Sequence, residues 1–143
     1  MQLTRAADYG VRALVHLADV ESHTRSSLTD LAESANVTPA FLSKVLQRLV
    51  QAGLVASKRG KRGGFELLPR ARTATLLEIL LALDGVPELN ICLGPEGCQR
   101  SSWCAAHPIW QEAQDKMRQV LSSITLDELA ARSRERRTPM TGS

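Results

Sequence analysis

Apolar residues recur every three or four positions along most of this chain, and one pair of short stretches breaks the rhythm. Thr4 precedes the first such run, in which Val11, Leu14, Leu17 and Ala18 share a face, so a helix is expected to about Val20. The polar connector ESHTRSS leads to Ser27, and Asp30 three positions on completes a capping signal for a short second helix, LTDLAESA. Asn36 suits its end. Thr38 and Pro39 then supply an N-cap and a first helical position for a third helix over about 39–52. That helix buries Leu42, Val45, Leu46 and Leu49 and stops at Gly53. Here the rhythm breaks: LVAS (54–57) and FELL (65–68) flank KRGKRGG, the pattern of a β-hairpin. Thr75 and Glu78 form a capping box for a fourth helix, stopped by Gly85 and Pro87. Beyond a loop that carries the cysteines, Ile109, Ala113, Met117, Val120 and Leu121 mark a longer helix from Pro108. Thr125 and Glu128 cap a last helix, LDELAARS, and RERRTPMTGS reads as a disordered tail.

Two helices joined by a short turn and followed by a hairpin make a winged helix-turn-helix. The expected fold class is therefore mainly α with a small β-hairpin, a winged helix-turn-helix domain carrying a long C-terminal helix. Its expected divisions are 1–84 for that domain, 85–107 for the cysteine loop, 108–132 for the long helix and the C-terminal helix, and 133–143 for the tail. Such a domain reads DNA through polar side chains on the outer face of its second helix. With the leucines and Val45 inward, the outward set is Thr38, Ala40, Ser43, Lys44, Gln47 and Arg48. The hairpin adds Lys58, Arg59, Lys61 and Arg62 around Gly60 and before Gly63 and Gly64. These cations suit phosphates or a minor groove, and the glycines allow a sharp turn. An amphipathic helix or a basic hairpin alone is most often only a solvated surface; in succession they favour a DNA-binding wing.

Charge changes the picture slightly. The net value is +3, but residues 1–70 hold ten Lys/Arg against six Asp/Glu and residues 71–143 hold eight against nine. The basic excess lies in the half that carries the hairpin. Only five aromatic residues occur, none interleaved with the basic run, which argues against a single-stranded RNA binder. At 143 residues, with 43% hydrophobic and 23% charged positions, the chain has the size and composition of one globular domain. No run reaches the length of a membrane span, and MQLTRAADYG lacks the apolar core of a secretory signal. A cytoplasmic setting with reduced thiols is expected.

The thiols are the remaining chemistry. Cys92, Cys98 and Cys104 lie in CLGPEGCQRSSWCAAH with His107 behind them, spaced x5, x5, x2. An odd number of cysteines argues against a disulfide framework. Three soft ligands and an imidazole meet the ligand count of a zinc site or an iron–sulfur cluster. Zinc sites favour pairs spaced C-x2–4-C, which this loop lacks, whereas a cluster suits ligands spread over a longer Gly-bearing loop. Unrelated reduced thiols are the plain alternative. Catalysis by a Cys104 nucleophile and His107 base is disfavoured, because no oxyanion motif or orienting third residue accompanies them. The chain does not read as an enzyme.

Taken together, MQLTRAADYGVRALVHLA, LTDLAESANVTPAFLSKVLQRLVQAGLV, the wing SKRGKRGGFEL, the cysteine loop and ITLDEL resemble the IscR/NsrR-type winged-helix regulators over about residues 1–130. Members are dimeric bacterial transcription regulators, repressors among them, that use an iron–sulfur cluster as sensor. The resemblance implies that Cys92, Cys98 and Cys104 ligate a cluster. A histidine three residues after the last cysteine, here His107, completes the IscR-like site and goes with [2Fe–2S], the preferred reading. An acid on the first helix of the other subunit, here Asp8, completes the NsrR-like site and goes with [4Fe–4S]. It further implies that the helix from residue 108 forms a homodimer on a palindromic double-stranded operator, with no membrane partner. The signal would be iron–sulfur status, redox stress or nitric oxide; a zinc-stabilised DNA-binding regulator without cluster sensing is the alternative. The wing tip is more cationic than is usual in the family.

Overall fold

Thr4 opens the first helix as expected: its hydroxyl accepts the Ala7 N–H at 3.1 Å, and α1 runs Arg5–Asp19. The structure is a computed structural model that describes residues 3–20, 24–84 and 88–137. Ser27 caps α2 (Leu28–Ala35) through the Asp30 N–H, and Asn36 closes it in the left-handed conformation, φ 56°. Thr38 and Pro39 start α3 (Pro39–Gln51), so the second and third helices meet through a tight turn.

The hairpin follows one residue displaced from expectation at both strands, β1 being Val55–Lys58 and β2 Gly64–Leu67. Antiparallel pairing sets Val55 opposite Leu67 and Lys58 opposite Gly64. A third short segment joins them, because Ser26 and Phe65 exchange both backbone hydrogen bonds, at 2.8 and 2.9 Å. The base of the wing is thereby tied to the connector before α2. Pro69–Arg72 makes a one-turn helix, α4, that the periodicity did not signal.

Thr75 and Glu78 form the expected capping box at the start of α5 (Leu76–Leu83). The expected stop at Gly85 and Pro87 lies outside the described residues; Asp84 is the C-cap. A short 3-10 turn, Ile91–Leu93, begins the cysteine loop. The long helix α6 spans His107–Ser122, and α7 spans Leu126–Arg137. Leu14, Leu17, Leu31, Leu42, Leu46, Leu49, Val55, Ile79 and Leu126 form one core, each at most 1% exposed.

Leu126 belongs to that core because the chain turns back after α6. Leu76 N–H donates to Ile124 and Leu126 N–H donates to Ala74, both at 2.9 Å, and α7 then lies along α1. The expected disorder of 133–143 needs correction for its first part. Ser133–Arg137 continue α7, because Arg134 and Arg137 both reach the Asp19 carboxylate at the end of α1, Arg134 at 2.8 Å. Residues 138–143 of the expected tail lie outside the described residues.

Candidate nucleic-acid interface and cysteine loop

The core face of α3 decides what its other faces offer. With Leu42, Val45, Leu46 and Leu49 buried, the helical period turns Ser43, Gln47 and Gln51 toward the wing and Ala40 and Lys44 outward. Between α3 and the hairpin lies an open groove of about 570 Å³, lined by Ser43, Gln47 and Gln51 on one wall and Ser57, Lys58, Arg59 and Gly60 on the other. Thr38, Ala40, Lys44 and Gln47 are exposed and Ser43 half-buried.

Lys58, Arg59, Lys61 and Arg62 are all exposed, and among the described residues none enters a salt bridge. Their turn needs glycine for a steric reason. A Cβ at Gly63 would lie 2.2 Å from the Lys58 carbonyl oxygen, and one at Gly64 would lie 2.6 Å from that of Ser26. The chain therefore folds tightly on itself and leaves the cations at the tip.

Arg48 departs from its expected role. Its Nη1 donates to the Leu83 carbonyl at 2.9 Å and to the Asp84 carboxylate at 2.6 Å, so its guanidinium serves the C-terminal end of α5 and not the groove. The physical reason is register: Arg48 lies on the flank of α3 away from the wing, and α5 ends there with open carbonyls that favour a cation. Gln51, by contrast, joins the groove although no expectation named it; its position four after Gln47 was the available signal. Arg5 also comes close to the start of α3, with its guanidinium 5.8 Å from the Phe41 ring and 5.7 Å from that of Tyr9. The Tyr9 contact is a helical i, i+4 pair; the Phe41 contact is tertiary and left no trace in the sequence.

One hydrogen bond ties the start of the cysteine loop to α6, and another closes a turn within it. Gln114, buried on α6, accepts the Leu89 N–H at 3.0 Å, and the Cys104 N–H donates to the Arg100 carbonyl at 2.7 Å. Cys92, Cys98 and Cys104 are free and half-buried, and Cys98 Sγ accepts the Arg100 N–H at 3.4 Å. His107 is the first residue of α6, and its Nδ1 is buried without a hydrogen-bond partner among the described residues. The four side chains lie along one loop, but among the described residues no three His, Cys, Asp or Glu are gathered as a metal cage. Three thiols and an imidazole with an unsatisfied nitrogen have the donor chemistry an iron–sulfur cluster takes.

Asp8, the alternative ligand, pairs with Arg12 at 3.1 Å on the exposed face of α1. Trp103 is 71% exposed, with the Arg100 guanidinium 6.0 Å from its ring. On α6 the usual pattern inverts. Gln114 is its buried residue, while Ile109 and Val120 are 59% and 66% exposed and Trp110 is 39% exposed.

Comparison with known proteins agrees with this geometry. Residues 3–132 match the family model Rrf2, described as an iron-dependent transcriptional regulator. The transcriptional regulator IscR of Photorhabdus laumondii is 33% identical over 129 residues, which cover 90% of this chain and 79% of that protein. The solved structure of T. potens IscR superposes with a TM-score of 0.76 at 25% identity, over 96% of this chain and 91% of that one. Oxidised CymR of Staphylococcus aureus gives 0.73 at 28% identity, over 91% and 96%.

Proposed function

The chain belongs to the Rrf2 family of DNA-binding transcriptional regulators, which are not enzymes, and from that premise we propose that it is a cluster-sensing member acting as a homodimer. The observation that carries the proposal is the Nδ1 of His107, buried with no hydrogen-bond partner among the described residues, three residues after Cys104 at the head of α6. A buried polar atom left unsatisfied costs about 1–3 kcal/mol, so native chains rarely keep one without a use. Cys92, Cys98, Cys104 and His107 would hold an iron–sulfur cluster, with [2Fe–2S] preferred; Asp8 of a second subunit with [4Fe–4S] is the alternative. A bound cluster supplies a centre that oxygen species, nitric oxide or iron scarcity can dismantle.

The chain's own residues then divide the work. Thr38, Ala40, Ser43, Lys44, Gln47 and Gln51 face base edges, while Lys58, Arg59, Lys61 and Arg62 neutralise phosphates or enter a minor groove. Ile109, Trp110 and Val120, apolar and exposed on α6, pair with a second copy. That pairing presents two wings to the two halves of a palindromic operator in the cytoplasm. A 100-fold change in operator affinity between cluster-loaded and cluster-free forms needs about 2.7 kcal/mol of coupling, within the usual range.

Iron, acid-labile sulfide and zinc per chain, measured on protein purified without oxygen, test the proposal. Iron and sulfide near about two each, with red-brown colour, are the expected outcome; about four each would transfer the fourth-ligand role to Asp8. Zinc at about one without sulfide would overturn the sensor and leave a zinc-stabilised regulator.

A further inference from the structure

Asp84 holds three elements at one carboxylate. Its Oδ1 accepts Arg48 Nη1 of α3 at 2.6 Å, and its Oδ2 accepts the hydroxyl of Thr4. The same Arg48 nitrogen donates to the Leu83 carbonyl, one of those α5 leaves open. Thr4 meanwhile caps α1 through the Ala7 N–H. The start of α1, the middle of α3 and the end of α5 therefore meet at a side chain only 23% exposed. Asp84 lies eight positions before Cys92, and its helix packs against α6, the helix that follows the cysteine loop.

We propose that Asp84 is the positioning residue through which the state of the cysteine loop reaches the recognition helix, an inference that rests on the reading of that loop as the sensor. The packing of Leu42, Val45, Leu46 and Leu49 against the core is apolar and non-directional. The Arg48–Asp84 bond is charge-assisted and directional, and it sits on the flank of α3 away from the wing. It sets how α3 is turned about its own axis, and so how Ser43, Gln47 and Gln51 stand in the groove. Asp84 ends α5, with its N–H on the Leu80 carbonyl, and α5 packs against α6, the helix that His107 opens, so a shift of α6 with the cysteine loop carries Asp84 with it. Such a displacement loosens Arg48 and Thr4 together, releasing α3 and the cap of α1 in one step. A packed interface with two discrete arrangements converts a small local shift into a change of state in this way.

The test compares operator affinity of cluster-loaded and cluster-free protein for the wild type, Asp84→Ala and Asp84→Glu, with iron and sulfide counted in each. The wild-type ratio is expected within about 5- to 150-fold, the usual span of such couplings. In Asp84→Ala the ratio falls to within about twofold of unity at unchanged cluster content, and Asp84→Glu recovers part of it. A role in stability alone would weaken both forms alike and leave the ratio at its wild-type value, which would overturn the proposal. Should Asp84→Ala fail to fold, Arg48→Met removes the same link from α3 and keeps the Thr4 pair; the same loss of ratio is expected. Amide hydrogen exchange of cluster-free protein adds a readout independent of the metal: exchange across Pro39–Gln51 quickens in the variant while Val55–Lys58 stays unchanged. Wild type that holds no cluster, or shows no difference between forms, overturns the sensor reading and this inference with it. That failure is visible before any variant is made.

Discussion

Lys58, Arg59, Lys61 and Arg62 surround a turn that only glycine at position 63 allows, and their exposure leaves them free to meet phosphates. Arg48, equally cationic and only ten positions before Lys58, is spent inside the chain on Leu83 and Asp84. The two arginines should therefore behave differently. Arg59→Ala is expected to weaken binding to all DNA sequences and to lower the slope of log affinity against log salt by about 0.9 per wing. In Arg48→Ala that slope stays at its wild-type value, because no phosphate contact is lost; a slope reduced as in Arg59→Ala would return Arg48 to the interface. At the loop, Cys98→Ala removes one of three thiols, and the purified variant is expected to lose its visible chromophore while sedimenting as the wild type does. Full colour in that variant would refute the ligand assignment.

Among the elements, α7 gains a role the pattern did not announce. Its periodicity marked a helix, and Thr125 and Glu128 cap it reciprocally, at 3.3 and 2.9 Å. What periodicity could not say is that Leu126 would reach zero exposure beside Ala74 and α1. Burial of this kind makes α7 part of the DNA-binding body and not an appendage of α6. Leu126→Ala should cost about 2–5 kcal/mol in urea unfolding, as for other fully buried leucines. A loss under about 1 kcal/mol would mean that α7 is docked only loosely. The extension of α7 past Ser133 has a simple cause, since Arg134 and Arg137, three apart, share Asp19. A run that is basic and polar reads as disorder until an acid on another helix faces it.

For the whole molecule, α6 poses the question of assembly. A helix whose buried residue is Gln114 and whose exposed residues include Ile109, Trp110 and Val120 leaves apolar area in water. A second copy covers it under the proposed function. The double substitution Ile109→Glu with Val120→Glu is expected to yield a folded monomer by sedimentation, with operator affinity reduced to that of a single wing and helix. A variant that stayed dimeric would place the interface elsewhere.

Caps and breakers determined most of the elements by local means. Thr4, Ser27, Thr38, Thr75 and Thr125 each start a helix where their hydroxyl can accept a free backbone N–H, a relation that spans three residues and needs no tertiary knowledge. The wing was legible for a like reason, since a glycine-rich turn between two apolar runs has few other conformations. Residue type and spacing marked the cysteines and His107 as a candidate ligand set, though not whether they converge. Tertiary structure alone decided which outward side chains remain available. Ser43, Gln47 and Gln51 face the groove, while Arg48 is claimed by a carboxylate 36 positions away. Periodicity defines the faces of a helix, but the neighbour each face meets depends on how distant segments pack, and that is set by the core as a whole.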